Sequence, residues 1–149
     1  MKEKDVQSLF GKQNKVHGVF ELKLCKEKSL SFESVADHQI KALTKVEGQE
    51  GLYHKISDTA SRAAGNAGFS RFTAPKPFDC FFLKDTPAYV VVVFYVPRKK
   101  KTAYYIPVHE FINMRQALRS GSIGEKPRNS FTEPHAEVYA EHFLELKNI

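Results

Sequence analysis

The peptide Val19-Phe20-Glu21-Leu22-Lys23 holds the residue types best suited to chemistry. On an extended chain side chains alternate, so Glu21 and Lys23 project from one face with their roots roughly 7 Å apart. A carboxylate placed there can hold a hard divalent cation, which prefers oxygen ligands, and the intervening Leu22 carbonyl can add another oxygen. An ammonium two residues along can orient an attacking water or offset charge gathering on a phosphate. These are the requirements of metal-assisted phosphodiester hydrolysis. Glu and Lys also alternate on ordinary exposed strands, so the tripeptide alone is a weak signal and its surroundings decide.

The elements that must position the pair are legible from periodicity. Val6, Leu9 and Phe10 recur at helical spacing between Glu3 and Lys12, and Gly11 with the polar run behind it ends that helix. From Val16 to Leu24 the period changes to two: Phe20, Leu22 and Leu24 share an apolar face, and Val19, Glu21 and Lys23 share the other. A second helix is predicted from Ser34 to Val46, with Ser34 as its N-cap and Ala36, Ile40 and Leu43 as its stripe. Strands are expected at Leu52 to Ile56 and Pro77 to Leu83, separated by a polar, small-residue loop from Ser57 to Pro75. Ala88 to Val96 is a continuous apolar run, as in a central strand covered on both faces. The basic turn Arg98-Lys99-Lys100-Lys101 then leads into an antiparallel partner at Thr102 to Val108. A helix follows from His109 to Leu118. Thr132 is placed to cap a last helix whose stripe is Ala136, Tyr139, Ala140, Phe143 and Leu146. The expected fold is a single α/β domain over residues 1–149, with a mixed central sheet flanked by helices.

Composition narrows the class. A net charge of +6 favours polyanionic partners, since each neutralised phosphate releases condensed counterions. The longest apolar stretch is strand-sized, well short of the roughly 20 residues of a membrane span. The charged start, Met1 to Asp5, has no apolar segment behind it, so no secretory signal is expected. Cys25 and Cys80 have neither metal-ligand nor disulfide spacing, which suits a reduced, cytoplasmic protein.

The ordered set Gly18-Val19-Phe20-Glu21-Leu22-Lys23, Ser31-Phe32 and His38-Gln39-Ile40 resembles the PD-(D/E)xK nuclease superfamily, and within it the RecU-type Holliday-junction resolvases. Tyr89 to Tyr95, Tyr104-Tyr105-Ile106, Glu110-Phe111 and Lys126 to Ser130 follow in a similar order, so the likeness covers about two thirds of the chain. The resemblance implies a restriction-endonuclease-like core and a Mg²⁺-dependent endonuclease, with Mn²⁺ able to substitute. It implies cleavage of branched DNA to leave 5′-phosphate and 3′-hydroxyl ends. Resolvases act as symmetric dimers because a four-way junction offers two equivalent strands, so a homodimer is expected. Carried over residue by residue, Glu21 becomes a metal ligand, Lys23 a catalytic side chain and Gln39 the helix glutamine near the site. On its helix Gln39 lies with Val35, Ala42 and Val46, where it can face the strand with an amide free for water or phosphate.

The chain departs from the family in its second acidic ligand, which usually precedes E-x-K on a strand. The residues before Glu21 offer Glu3 and Asp5 on a helix instead. Asp79, in Lys76-Pro77-Phe78-Asp79, is the expected replacement, with its carboxylate within about 3–6 Å of Glu21. Asp58 is the reserve, and Glu3 is a candidate first-helix carboxylate. The expected metal set is Asp79, Glu21 and the Leu22 carbonyl. Arg98, Lys99, Lys100 and Lys101 at the hairpin tip, and Lys41 and Lys45 beside His38 on the polar face of the second helix, are candidate DNA contacts. Arg115, Arg119, Lys126 and Arg128 form a second basic cluster. Two other readings stay open: another nuclease of the superfamily, of restriction, repair or phage type, or a non-catalytic nucleic-acid-binding module of the same fold.

Overall fold

A computed structural model describes residues 2–55, 80–121 and 125–148. In chain order they form α1 (Glu3–Gln13), β1 (Val19–Cys25), β2 (Ser29–Ser31), α2 (Asp37–Glu47), β3 (Leu52–Lys55), β4 (Cys80–Leu83), β5 (Ala88–Phe94), β6 (Lys101–Pro107), α3 (Val108–Ser120), β7 (Ser130–Thr132), α4 (Glu133–Tyr139) and β8 (His142–Leu146). The main sheet runs β1-β5-β6-β8, while β2 pairs with β7 and β3 with β4. β1 lies parallel to β5, and the β5–β6 and β6–β8 pairs are antiparallel, so the central sheet is mixed. Among the described residues no helix is long and apolar enough to cross a membrane.

β5 explains the layering. All seven of its residues are buried, which a β-branched run without polar interruptions permits and a one-sided strand would not. Val90, Val92 and Phe94 join the cluster made with Ile40, Leu43 and Val46 of α2, Phe111 and Met114 of α3, and Ala136 of α4. Tyr89, Val91 and Val93 face the opposite cluster, where Val6 and Phe10 of α1 meet Leu22 and Tyr105. β1 obeys the alternation expected of it. Leu22, with Phe20 and Leu24, packs towards α1, while Val19 and Cys25 pack on the α2 side. Glu21 and Lys23 therefore lie on the α2 side as well.

A close approach fixes the entrance to β1. The Val19 N–H donates to Pro87 O at 2.8 Å, and a Cβ on Gly18 would sit 2.7 Å from the same Pro87 oxygen. Only glycine lets the two chains meet there.

Three expectations are corrected. The last helix does not continue from Thr132 to Leu146. It stops at Tyr139, Ala140 takes extended backbone with φ −74° and ψ 142°, and residues 142–146 become the edge strand β8 beside β6. The peptide His142-Phe143-Leu144-Glu145-Leu146 fits a period of two as well as a helical stripe. As a strand it satisfies the outer peptide groups of β6 and turns Leu144 and Leu146 into the α1-side cluster. Phe143, assigned to a buried stripe, is 54% exposed. Nor does Ser34 cap α2: it ends a single 3₁₀ turn, Phe32–Ser34, and α2 begins after Ala36. β1 begins at Val19, not Val16, because Asn14 folds the preceding chain into a turn, its side chain bonding the Val16 N–H and C=O at 3.0 Å each.

Asn14 Oδ1 also accepts from the Tyr105 hydroxyl at 2.7 Å, tying the turn ahead of β1 to β6. Burial pushes the Tyr105 phenol from 10.0 up to about 12. A folded-state pKa above the unfolded one means the group supports folding fully below the unfolded value, and that support is lost as pH rises through the folded value. Tyr105→Phe should thus cost about 1 kcal/mol near neutrality by removing the hydrogen bond. It should also lose less stability than the parent between pH 10.0 and about 12. Urea denaturation at both ends of that window checks this; parallel curves for parent and variant would contradict it.

Candidate active site

The direction of the β1 peptide groups follows from two bonds to the residues that flank β5. Val19 donates to Pro87, and Cys25 O accepts from the Tyr95 N–H at 2.7 Å. Odd-numbered residues of β1 thus turn their peptide groups towards β5, and even-numbered ones turn theirs to the opposite edge. The Leu24 N–H marks that edge by donating to Glu3 Oε2 of α1 at 3.2 Å. The Leu22 carbonyl points to the same edge, so a backbone oxygen lies beside the side chains of its two neighbours.

On the α2 side, Lys23 Nζ stands 3.2 Å from Glu21 Oε1, with the two side chains 16% and 28% exposed. Gln39 completes the group: its Nε2 donates to the same Glu21 Oε1 at 2.9 Å. The other end of the Gln39 amide is also committed, since its Oε1 accepts from the Ala36 N–H at 3.0 Å. Gln39 therefore caps the start of α2 with its oxygen and holds the β1 carboxylate with its nitrogen. The cap dictates which way the amide faces, leaving the NH₂ end for Glu21. Both of these contacts of the Glu21 carboxylate, from Gln39 and from Lys23, therefore fall on Oε1.

The Glu21, Lys23 and Gln39 of the sequence analysis are thus brought together, with the Leu22 carbonyl alongside. Glu3 reaches the same strand edge, but bonded to Leu24. Asp79 and Asp58 lie outside the described residues, and so does the expected separation of Asp79 from Glu21. The donors in hand are oxygens, a set that suits Mg²⁺ or Mn²⁺ better than softer ions. Among the described residues no three His, Cys, Asp or Glu side chains converge as a metal site.

The basic groups divide. Lys41, Lys45 and His38 are exposed on α2, with Lys45 Nζ 3.8 Å from Glu50. Arg98, Lys99 and Lys100 are exposed in the β5–β6 turn. Lys101 is 4% exposed, its Nζ 4.9 Å from the centre of the Tyr95 ring, so it leaves the exposed set. Arg115 and Arg119 flank the approach to α2: Arg115 is 4.0 Å from Asp37, and Arg119 Nε donates to Asn129 at 2.6 Å. Asn129 in turn donates to Glu33 at 3.3 Å. Sequence reading missed this Arg119-Asn129-Glu33 chain, because its members lie 10 and 96 positions apart. It also missed the capping role of Gln39. A signal for that was present, since a Gln at the third helical position is half of a capping box.

Compared with protein-family models, curated proteins and solved structures, the chain matches none.

Because Gln39 bridges the cap and the carboxylate, Gln39→Ala should destabilise the fold by about 1–2 kcal/mol, the scale of a lost cap plus a charge-assisted hydrogen bond. Chemical denaturation measures this, and an unchanged midpoint would mean that the two bonds carry no stability.

Proposed function

We propose that the chain is a metal-dependent DNA endonuclease with a restriction-endonuclease-like core, acting on branched DNA in the manner of a Holliday-junction resolvase and working as a homodimer. The observation that supports this most is the meeting of Glu21, Lys23 and Gln39 on one side of β1, next to an edge to which the Leu22 carbonyl points. A strand-face carboxylate with a lysine two residues on and a helix amide above it is a donor set suited to phosphodiester hydrolysis.

In this reading Glu21 and the Leu22 carbonyl, with Asp79, would hold Mg²⁺ or Mn²⁺, and the metal would supply the positive charge that phosphodiester hydrolysis needs. Lys23 orients the attacking water or offsets charge developing on the phosphate. Gln39 keeps the Glu21 carboxylate turned to the site. Glu3, at the same edge, is a further acid within the neighbourhood. The exposed cations Arg98, Lys99 and Lys100, together with Lys41 and Lys45, position a duplex through its phosphates without reading its sequence. Comparing cleavage of a four-way junction with that of its linear arms separates a resolvase from a nuclease of broader substrate.

The decisive experiment uses single substitutions in purified protein with Mg²⁺ and with Mn²⁺. Glu21→Gln should abolish cleavage while leaving the fold and DNA binding nearly unchanged. Lys23→Ala should lower turnover by about 10²-fold or more at saturating metal, because an ammonium cannot ligate a cation. Full activity in Glu21→Gln would reject the site, and a shifted metal titration with an intact saturated rate would make Lys23 structural. A companion pair tests the second acid: Asp79→Asn should match Glu21→Gln, and Asp58→Asn should cleave normally. The reverse result would transfer the role to Asp58.

A further inference from the structure

The charged group with the least ordinary surroundings lies away from Glu21. Lys101, the first residue of β6, is 4% exposed. Lysine is among the residues least often buried without a partner, because a desolvated ammonium is costly. Among the described residues no carboxylate stands within 4.0 Å of its Nζ, which lies over the face of Tyr95, 4.9 Å from the ring centre. A ring face stabilises a cation without neutralising it.

Lys101 lines a notch of about 600 Å³ between the β5–β6 turn and the end of β8, together with Arg98, Lys99, Lys100 and Glu145. The single carboxylate there among the described residues, Glu145, is matched by Lys100 at 3.9 Å. Arg98 adopts the left-handed φ of 65°, a conformation more natural to glycine or asparagine, and yet carries a third cation to the rim. Among the described residues, four cations thus surround one recess against one acid. A phosphate, with several oxygens and up to two charges, can engage more than one of them, whereas a carboxylate has only two oxygens to share.

We propose that this notch is a phosphate-binding site, with Lys101 as the cation at its base and Arg98 and Lys100 at its rim. The Lys101 side chain is packed at the start of β6 with its Nζ over Tyr95, so an arriving anion meets a charge whose motion is restricted. The phosphate oxygens can come from a nucleic-acid backbone or from free phosphate. The first source rests on the nuclease reading; the second does not.

Nuclear magnetic resonance titration of the full chain with inorganic phosphate at constant ionic strength tests the site. Saturable shifts are expected at residues 98–101 and 145–148, retained in Lys101→Arg and weakened about tenfold or more in Lys101→Met, as for loss of a charge-assisted bond. Should Lys101→Met fail to fold, the surface pair Arg98→Ala/Lys100→Ala should show the same weakening. Phosphate affinity unchanged in the variants, or no saturable shift in the parent, would overturn the proposal. A second arm measures duplex binding in a Glu21→Gln background, where cleavage plays no part. If Lys101→Met lowers the salt slope by about 0.9 log unit, the site takes backbone phosphate; if phosphate binding falls and the slope holds, it takes free phosphate. Either result is independent of whether Glu21 is catalytic.

Discussion

The structure depends on one constraint: β5 is covered on both faces, so every neighbour is arranged to bury it. Its seven side chains alternate between two clusters, with β1 parallel on one flank and β6 antiparallel on the other. A parallel neighbour cannot be reached by a tight turn; the chain must cross over a face of the sheet. Between β1 and β5 it does so by way of α2, whose Ile40, Leu43 and Val46 cover Val90 and Val92. That crossover is what brings Gln39 over Glu21. The candidate chemistry is therefore a consequence of the central strand's hydrophobicity, with no separate device needed to fold a loop over the carboxylate.

The α1 side performs a different task. Val6 and Phe10 meet Leu22, Tyr89, Val91 and Tyr105 in the second cluster, and the Tyr105–Asn14 bond ties the turn before β1 to β6. The entrance of β1 is then pinned three ways, by Asn14, by the Gly18–Pro87 approach and by the Val19–Pro87 hydrogen bond. A strand fixed at its start holds the register in which Glu21 and Lys23, not Leu22 or Leu24, point towards α2. A slip of one residue would bury both charges against Phe10 and leave Leu22 beside Gln39.

Much of this was legible because it depends on local alternation. The faces of β1, the two-sided burial of β5, its antiparallel turn into β6 and the helices expected from Glu3 to Lys12 and from His109 to Leu118 all follow from spacing that a short window contains. Residues 142–146 were not legible for the same reason. Phe143 and Leu146 extend a helical stripe, while Leu144 and Leu146 make a strand face, and only the open edge of β6 chooses between them. Lys101 looked like one more residue of a basic turn. Its burial depends on Tyr95 and on Leu146, which pairs with it across β6 and β8, and neither contact shows in a run of four cations. Gln39 was placed near the strand by helical phase, but its bond to the Ala36 N–H needed the true start of α2. Asp79 falls outside the described residues, so the second acid stands where the sequence left it.

The geometry also says how the Glu21 carboxylate is kept ready under the proposed reading. A bare carboxylate that is only 28% exposed would be poorly solvated without help. Gln39 and Lys23 both meet Oε1, which satisfies that oxygen and offsets its charge. The two supports differ in kind. Gln39 is held at its far end by the helix cap, so it can keep its bond whatever else binds. Lys23 is a flexible point charge, and a divalent cation drawn to the same carboxylate would repel it. Under the proposed reading, Glu21 would thus be supported by one partner held in place, Gln39, and by one free to move, Lys23. In that reading the fixed partner would orient the carboxylate and the movable one would assist the water, which is a reason for the lysine to sit on the strand face and the glutamine on the helix.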